Sequence, residues 1–210
     1  MDRKYIRYLV SGALVIALVS GLGSTPSATP SIQNSGKSFK DYPNNTFNAK
    51  EYIQGMTKGA RNVLIWQDPA ADLKKYRSVK VTDFGGQLLP VQNVFSYDPF
   101  VSSFNATFQG TIKLPKEESP EALRIEGAVV ECNPGSRAAR NLVGFGAGRA
   151  AGAVVCEIYE PGASRPCMRI YVRDTASSGS WGGNSLGMLN HIFYTVANRL
   201  STFLEVRIGR

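Results

Sequence analysis

The sequence predicts an α+β domain in which helices pack on a mostly antiparallel sheet. Three consecutive segments rich in β-branched residues are predicted to be antiparallel strands. Two segments with apolar residues at helical spacing, one before these strands and one after them, are predicted to be helices. Helices segregated from a run of sequential strands are typical of the α+β class. The predicted element order is strand, helix, strand, strand, strand, helix.

The first part of the domain is predicted to contain two extended segments separated by a helical turn. Residues 62–66 are apolar and extended in pattern. Asp68 and Pro69 are a typical cap and first position for the helical turn over residues 68–76. Residues 76–84 alternate in hydropathy and are predicted to be a short strand, which ends before the Gly85-Gly86 pair.

The first long helix is predicted to begin at Asp98 and Pro99. Its apolar stripe is made of three aromatic residues at a spacing of four, which we expect to be buried core residues and not a ligand site: Phe100, Phe104 and Phe108.

The three later strands and the final helix are predicted from the pattern of apolar residues and from the residues that favour turns. The turn Glu160-Pro-Gly-Ala-Ser164 separates the last two strands, and the final helix carries a broad apolar face. The predicted ranges are strands at 122–133, 150–160 and 165–175 and a helix at 185–204.

The chain divides into three predicted parts. Residues 1–28 resemble a secretory signal peptide, because a basic start is followed by a short apolar core and then by small residues. The apolar core is short for a membrane anchor, although an uncleaved anchor remains the alternative. Residues 29–48 are rich in Ser, Thr, Pro and Asn and are predicted to be a flexible tether. Residues 49–210 are predicted to form a single α+β domain.

The predicted leader indicates a location outside the cytosol, in the periplasm or associated with the outer membrane. The run Leu18-Val-Ser-Gly21 is similar to the sequence that precedes the lipidated cysteine of bacterial lipoproteins. Leu22 occupies the position where that cysteine would stand. The sequence therefore does not support lipidation.

The charge balance favours anionic partners. The chain has 24 basic and 16 acidic residues. Removing Arg3, Lys4, Arg7 and Asp2 with the leader leaves 21 and 15 of these residues, so the rest of the chain stays basic. In the cell envelope such a surface suits acidic proteins, anionic lipid or lipopolysaccharide. Nucleic acid is not an expected partner, because export removes the chain from it and the basic residues are dispersed.

No residue cluster indicates catalysis, a metal or a cofactor. His191 is the only histidine, and no pair of cysteines has metal-ligand spacing. The acidic pairs lie in a connector and at a strand end, where nothing in the sequence indicates a cleft that would shift a pKa. The three cysteines are expected to be buried, with one disulfide left open as an alternative: Cys132, Cys156 and Cys167. We expect no enzymatic activity.

A glycine-rich loop over residues 135–152 connects two predicted strands. A dinucleotide site needs a helix directly after the glycines, whereas β-branched residues follow here. The loop carries three arginines that suit an anion and an apolar tip that suits a protein contact. A second loop presents a tryptophan. The candidate partner-binding residues are Arg137, Arg140, Val143, Phe145, Arg149 and Trp181.

Two motifs in this region carry a family resemblance. They are Gly135-Ser-Arg-Ala-Ala-Arg140 and Gly144-Phe-Gly-Ala-Gly-Arg149. With the glycines of residues 179–183, they resemble an uncharacterised bacterial envelope family whose members are mostly predicted lipoproteins. That family is distantly similar to the curli secretion lipoprotein and to lipoprotein activators of penicillin-binding proteins. The resemblance implies a scaffold, pore or protein-activating role and no catalysis.

These observations predict a non-enzymatic exported envelope protein that acts as a protein-interaction or assembly module. Its expected partners are envelope proteins or further copies of itself. The alternative is a periplasmic protein that binds a small ligand or a lipid in an apolar pocket between sheet and helices.

Overall fold

The structure is a computed structural model that describes residues 36–135, 149–177 and 185–209. Within these residues it has a six-stranded, mostly antiparallel sheet with helices packed on it, which confirms the predicted fold class. The strands are β1 (Thr57–Ala60), β2 (Val63–Gln67), β3 (Val79–Val81), β4 (Leu123–Asn133), β5 (Ala150–Tyr159) and β6 (Met168–Ala176). The helices are α1 (Ala49–Tyr52), α2 (Asp98–Thr111) and α3 (Ser185–Ile208).

The strands are arranged in the order β1-β2-β6-β5-β4-β3. Strands β4, β5 and β6 are sequential antiparallel neighbours, as predicted. Gly162 turns the chain between β5 and β6 with a φ of 72°, a left-handed conformation that glycine adopts without strain. Strands β3 and β4 are parallel, and the connection between them contains α2, since parallel neighbours need a long crossover.

One face of the sheet packs against the two long helices. Along β5 the residues Val154, Cys156 and Ile158 face this core, since side chains alternate across a strand. The phenylalanine stripe of α2 is buried here, as predicted. The Phe104 ring lies 5.1 Å from the ring of Phe84, measured between centroids.

The opposite face of the sheet is covered by residues 36–56, which we call the N-terminal strap. Its side chains Phe39, Tyr42 and Tyr52 are buried in a second apolar cluster with Ala153 and Val155 of β5. The predicted flexible tether over residues 29–48 thus differs from the structure in its described part, 36–48, because buried aromatic residues attach that part to the sheet. Residues 1–35 lie outside the described residues.

Two details of the predicted helical segments differ from the structure. The helical turn after β2 is a 3-10 turn over Leu73–Lys75, and the residue that caps it is Asp72. Asp68, the predicted cap, instead accepts a hydrogen bond from the backbone amide of Ala70 at 2.9 Å. Helix α3 continues to Ile208, four residues beyond its predicted end.

All three cysteines are free and buried, as expected, and the disulfide left open as an alternative is not formed in the structure. Side-chain alternation places Cys167 away from Cys156, yet both lie in the core beneath the helices. Cys167 precedes the first residue of β6, and its backbone amide donates to the carbonyl of Ile158 at 2.8 Å. Strict alternation does not apply at that position.

Candidate functional site

The predicted partner-binding residues lie almost entirely outside the described part of the chain. Of the six, the structure describes Arg149, which is exposed directly before β5. The glycine-rich loop connects two adjacent antiparallel strands, β4 and β5. Strand β5 begins at Ala150, so the glycines lead into a strand, as the sequence predicts. The positions that lie outside the described residues are Arg137, Arg140, Val143, Phe145 and Trp181.

The described residues form an open groove of about 900 Å³ between helix α3 and the β1 side of the sheet. We call it the α3 groove. It is defined by six of the residues that line it: Gly59, Ala60, Lys74, Tyr194, Phe203 and Val206.

One wall of the α3 groove is a regular stripe along the helix. Tyr194, Asn198, Thr202 and Val206 are spaced four residues apart, so they lie above one another on one face. The apolar positions on the other side of α3 are buried against the sheet. Tyr194 is 56% exposed and Val206 is 69% exposed. Large apolar side chains are therefore left uncovered within a concave surface, which is typical of a binding site.

The α3 groove is also basic. Lys74, Arg199 and Arg207 line it, with Asp72 as the acidic residue among the lining side chains, and Arg199 is paired with Asp174 at 3.4 Å. The Arg207 guanidinium lies 5.3 Å from the centre of the Phe203 ring, so a cation–π contact holds this charge beside the apolar floor. The groove thus combines apolar contact area with positive charge.

A buried polar cluster lies on the opposite face of the sheet, beneath the N-terminal strap. Its centre is Glu157 of β5, which is fully buried. The carboxylate accepts hydrogen bonds from the Ser38 and Tyr159 hydroxyls at 2.6 Å each, from the Phe39 amide at 2.8 Å and from the Tyr52 hydroxyl at 3.1 Å. Burial raises the pKa of Glu157, although these donors oppose the rise.

Arg169 of β6 is the cross-strand neighbour of Glu157 and is equally buried. Its guanidinium lies over two aromatic rings, 5.1 Å from the centre of Tyr52 and 5.5 Å from that of Trp66. Its Nη1 donates to the backbone carbonyls of Lys37 at 2.9 Å and of Tyr52 at 3.0 Å. Burial lowers the pKa of this guanidinium. Arg169 therefore holds two points of the N-terminal strap by their backbone.

This cluster attaches the N-terminal strap to the sheet. The Glu157 oxygens are occupied by four donors from the strap and the sheet, so this carboxylate is committed to holding the strap in place.

His191 lies on the exposed side of α3 and accepts, through its carbonyl, a hydrogen bond from the Thr195 hydroxyl. Over residues 36–135, 149–177 and 185–209, no group of three or more His, Cys, Asp or Glu side chains is arranged to hold a metal ion.

The buried polar cluster around Glu157 has a signal in the sequence, but the hydropathy pattern alone does not reveal its meaning. Glu157 interrupts the otherwise apolar β5, and Arg169 lies in the apolar first half of β6. Alternation assigns both positions to the second face of the sheet. A charged residue at such a position indicates either exposure or a dedicated partner. The α3 groove had no comparable signal, because its walls come from distant parts of the chain.

Part of the chain matches a family of unknown function. A family model described as Domain of unknown function (DUF4410) matches residues 105–184, which run from within α2 to the residue before α3. No curated protein matches the chain. In the part of the chain that the structure describes, no helix is both long enough and apolar enough to cross a membrane.

Solved structures of bacterial proteins are similar to the chain at low levels. A PelC dodecamer variant from Paraburkholderia phytofirmans is 15% identical, with 66% of this chain and 95% of that chain covered and a TM-score of 0.38. A second PelC dodecamer from that organism is 15% identical, with 65% and 96% covered and a TM-score of 0.36. A Xanthomonas campestris protein with the family model DUF330 is 12% identical, with 68% and 90% covered and a TM-score of 0.38.

Proposed function

We propose that this protein is a non-enzymatic, exported envelope protein that binds other proteins through the α3 groove. The observation that carries this proposal is the exposure of Tyr194 and Val206 on the wall of an open groove of about 900 Å³. Aromatic and aliphatic side chains in a concave surface are the usual anchors of a protein interface. Binding would bury the area that the free chain leaves in contact with water.

The charge of the α3 groove supports an acidic partner. Lys74 and Arg207 border its apolar floor, and the whole chain has a formal net charge of +8. Complementary charge speeds association and disfavours basic competitors. An acidic segment of another envelope protein therefore fits this surface in both shape and charge.

We propose a binding role and not a catalytic one because the buried polar groups hold the structure together. Glu157 is the buried carboxylate of the described core, and its hydrogen bonds fasten the N-terminal strap. The predicted leader over residues 1–28 supports an envelope location. The resemblance to an uncharacterised envelope family, itself distantly similar to the curli secretion lipoprotein and to activators of penicillin-binding proteins, supports a role in assembly or activation.

The glycine-rich loop is proposed as a second contact surface. Its arginines and its apolar residues, Phe145 among them, are candidates for partner contact together with Trp181 in the other loop. Arg149 at the described end of this loop is exposed, which is compatible with that role.

Photo-crosslinking in intact cells tests the proposal. A benzoylphenylalanine at Thr202, an exposed position in the α3 groove, is compared with one at Val94, which is 88% exposed in a different part of the chain. We expect adducts with envelope proteins from position 202 that disappear when Tyr194→Ala and Val206→Glu are added. Identical adducts from both positions, or none from position 202, would contradict the proposal.

The alternative is binding of an anionic lipid in the same groove. It is favoured by the position of the Arg207 guanidinium against the Phe203 ring, which pairs a headgroup contact with an apolar one. Native mass spectrometry of the purified protein would then show a bound lipid, and Val206→Glu would remove it. Crosslinks to protein with no bound lipid favour the first proposal.

A further inference from the structure

The α3 groove runs beside a free edge of the sheet. Strand β1 pairs with β2 on one side and is the terminal strand of the sheet on its other side. Among the described residues, no backbone hydrogen bond outside the helices and strands involves Thr57–Ala60. The backbone groups on the outer side of β1 are thus available to pair with another chain.

The opposite edge of the sheet is covered at Val79. The amide of Val79 in β3 donates to the carbonyl of Pro115 at 2.8 Å, and the Val79 carbonyl accepts from the amide of Glu117 at 3.1 Å. The segment after α2 therefore covers the β3 edge at its first residue. Of the two edges of this sheet, the β1 edge is the one left to a partner.

Strand β1 and helix α3 form the two sides of the groove. Gly59 and Ala60 line it from the strand, and Asn198, Thr202 and Val206 line it from the helix. A groove between a sheet edge and a helix accepts an extended peptide as an added strand. Backbone hydrogen bonds to the edge then supply affinity, and alternate side chains contact the helix.

Gly59 allows β1 to lie directly on the floor of the groove. A Cβ at this position would lie 3.0 Å from the Phe203 ring and 2.9 Å from Ile65 Cγ2. With no side chain in the way, the strand stays close to α3. The edge is also short and has a register shift between Lys58 and Ala60, features that protect an edge from indiscriminate pairing. Binding therefore also needs the groove side chains.

The charges select the occupant. Lys74 and Arg207 line the groove, with Asp72 as the single carboxylate among the lining residues. Arg199 also lines it, but its Nη1 is paired with Asp174 at 3.4 Å. Outside the predicted leader, a second copy of this chain would bring 21 basic and 15 acidic residues, a net charge of +6. An acidic segment of another protein avoids that repulsion.

We propose that the α3 groove binds an extended acidic segment of a partner protein as an additional strand on β1. This inference rests on the proposed function and specifies how the partner binds. In the bound state the apolar side chains of the segment face α3, and its acidic side chains lie near the cations of the groove.

The test uses the purified full chain and synthetic peptides of about twelve residues in which valine alternates with glutamate or with lysine. We expect the glutamate peptide to bind about tenfold more tightly than the lysine peptide in fluorescence anisotropy. Val206→Glu should weaken the glutamate peptide by about tenfold, whereas the matched control Val94→Glu should leave its binding unchanged.

Backbone methylation identifies strand addition. In a strand the amides of alternate residues point to opposite sides. Methylating the valine amides of the glutamate peptide and methylating its glutamate amides should therefore have unequal effects, with one version losing binding and the other retaining it. Hydrogen exchange of Thr57–Ala60 should slow when the unmodified peptide binds.

Three outcomes would overturn the inference. Equal binding of both methylated peptides without slower exchange in β1 means that the groove binds its partner without adding a strand, and the proposed function stands. If no peptide binds while crosslinks from position 202 are still present in cells, strand addition is likewise refuted and the proposed function stands. Dimerisation of the purified chain that is lost in Val206→Glu identifies a second copy as the occupant.

Discussion

The Ser38 hydroxyl donates a 2.6 Å hydrogen bond to the Glu157 carboxylate across 119 positions of the chain. The next amide, that of Phe39, donates to the other oxygen of the same carboxylate at 2.8 Å. These two bonds join the N-terminal strap to the middle of the sheet. The stability of the domain should therefore depend on residues that are far apart in sequence.

Replacing Glu157 tests this attachment. Glu157→Ala leaves two tyrosine hydroxyls, one serine hydroxyl and one amide without their acceptor in a buried site, so we expect the free energy of unfolding to fall by about 3 kcal/mol or more. Ser38→Ala removes one charge-assisted bond and should cost about 1.5–3 kcal/mol. Urea unfolding of the purified protein measures both. Glu121→Ala, at an exposed position, should change stability by less than about 0.5 kcal/mol. A loss in Glu157→Ala no larger than in this control would contradict the attachment.

The same carboxyl predicts a pH dependence. Because burial raises the pKa of Glu157, the folded protein holds this proton more tightly than the unfolded chain does. Its contribution to stability is fully present below the unfolded pKa and is lost as the pH rises through the folded pKa. The free energy of unfolding of the wild type minus that of Glu157→Gln should fall across this range and then level off. Urea unfolding at a series of pH values measures it. The corresponding difference for Glu121→Gln serves as the control, and a difference for Glu157→Gln that rises with pH would refute the assignment.

Alanine substitutions at two glycines should change the stability of the protein in opposite directions. An added methyl group at Gly110, near the end of α2, meets no atom within 4 Å, so Gly110→Ala should stabilise the helix by about 0.5–1 kcal/mol. At Gly127 in β4 the same group would overlap the Phe84 ring and the Val155 carbonyl oxygen. Gly127→Ala should therefore destabilise the protein by about 1–3 kcal/mol. Thermal unfolding of the two variants side by side checks the signs, and equal shifts would be inconsistent with this packing.

The thiols should be unreactive in the folded protein. Burial raises the pKa of Cys132 to about 12 and that of Cys167 to about 11, and it raises the pKa of Cys156 well above its ordinary value. Since the thiolate is the reactive form, alkylation at pH 8 should be slow until the chain unfolds. Mass spectrometry with iodoacetamide, before and after addition of urea, gives the number of modified thiols. Rapid modification of any cysteine without urea would show that it is accessible.

The apolar pattern predicted the layer of the fold that contains the two long helices. Phe104 and Phe108 lie where a four-residue spacing places them, and Val154 with Ile158 lies where strand alternation does. These are local signals, because each depends on residues within one element. The fold class followed from them.

The N-terminal strap was not predictable in this way. Phe39 and Tyr42 lie among Pro, Asn and Ser residues, so the average composition of the segment resembles a tether. The strap is held by Glu157 and Arg169, which are more than 100 positions away. The α3 groove likewise depends on the distance between β1 and the last helix, which no short window of sequence contains.

The attachment of residues 38 and 39 to β5 determines where the smallest autonomous folding unit begins. A shortened version that starts at Ala49 would keep the six strands and helices α1 to α3. It would nevertheless expose Ala153 and Val155 to solvent, together with a Glu157 carboxylate that has lost two of its donors. Such a fragment should aggregate or unfold readily. Recombinant versions of this domain therefore need to include Lys37, whose carbonyl also binds the guanidinium on β6.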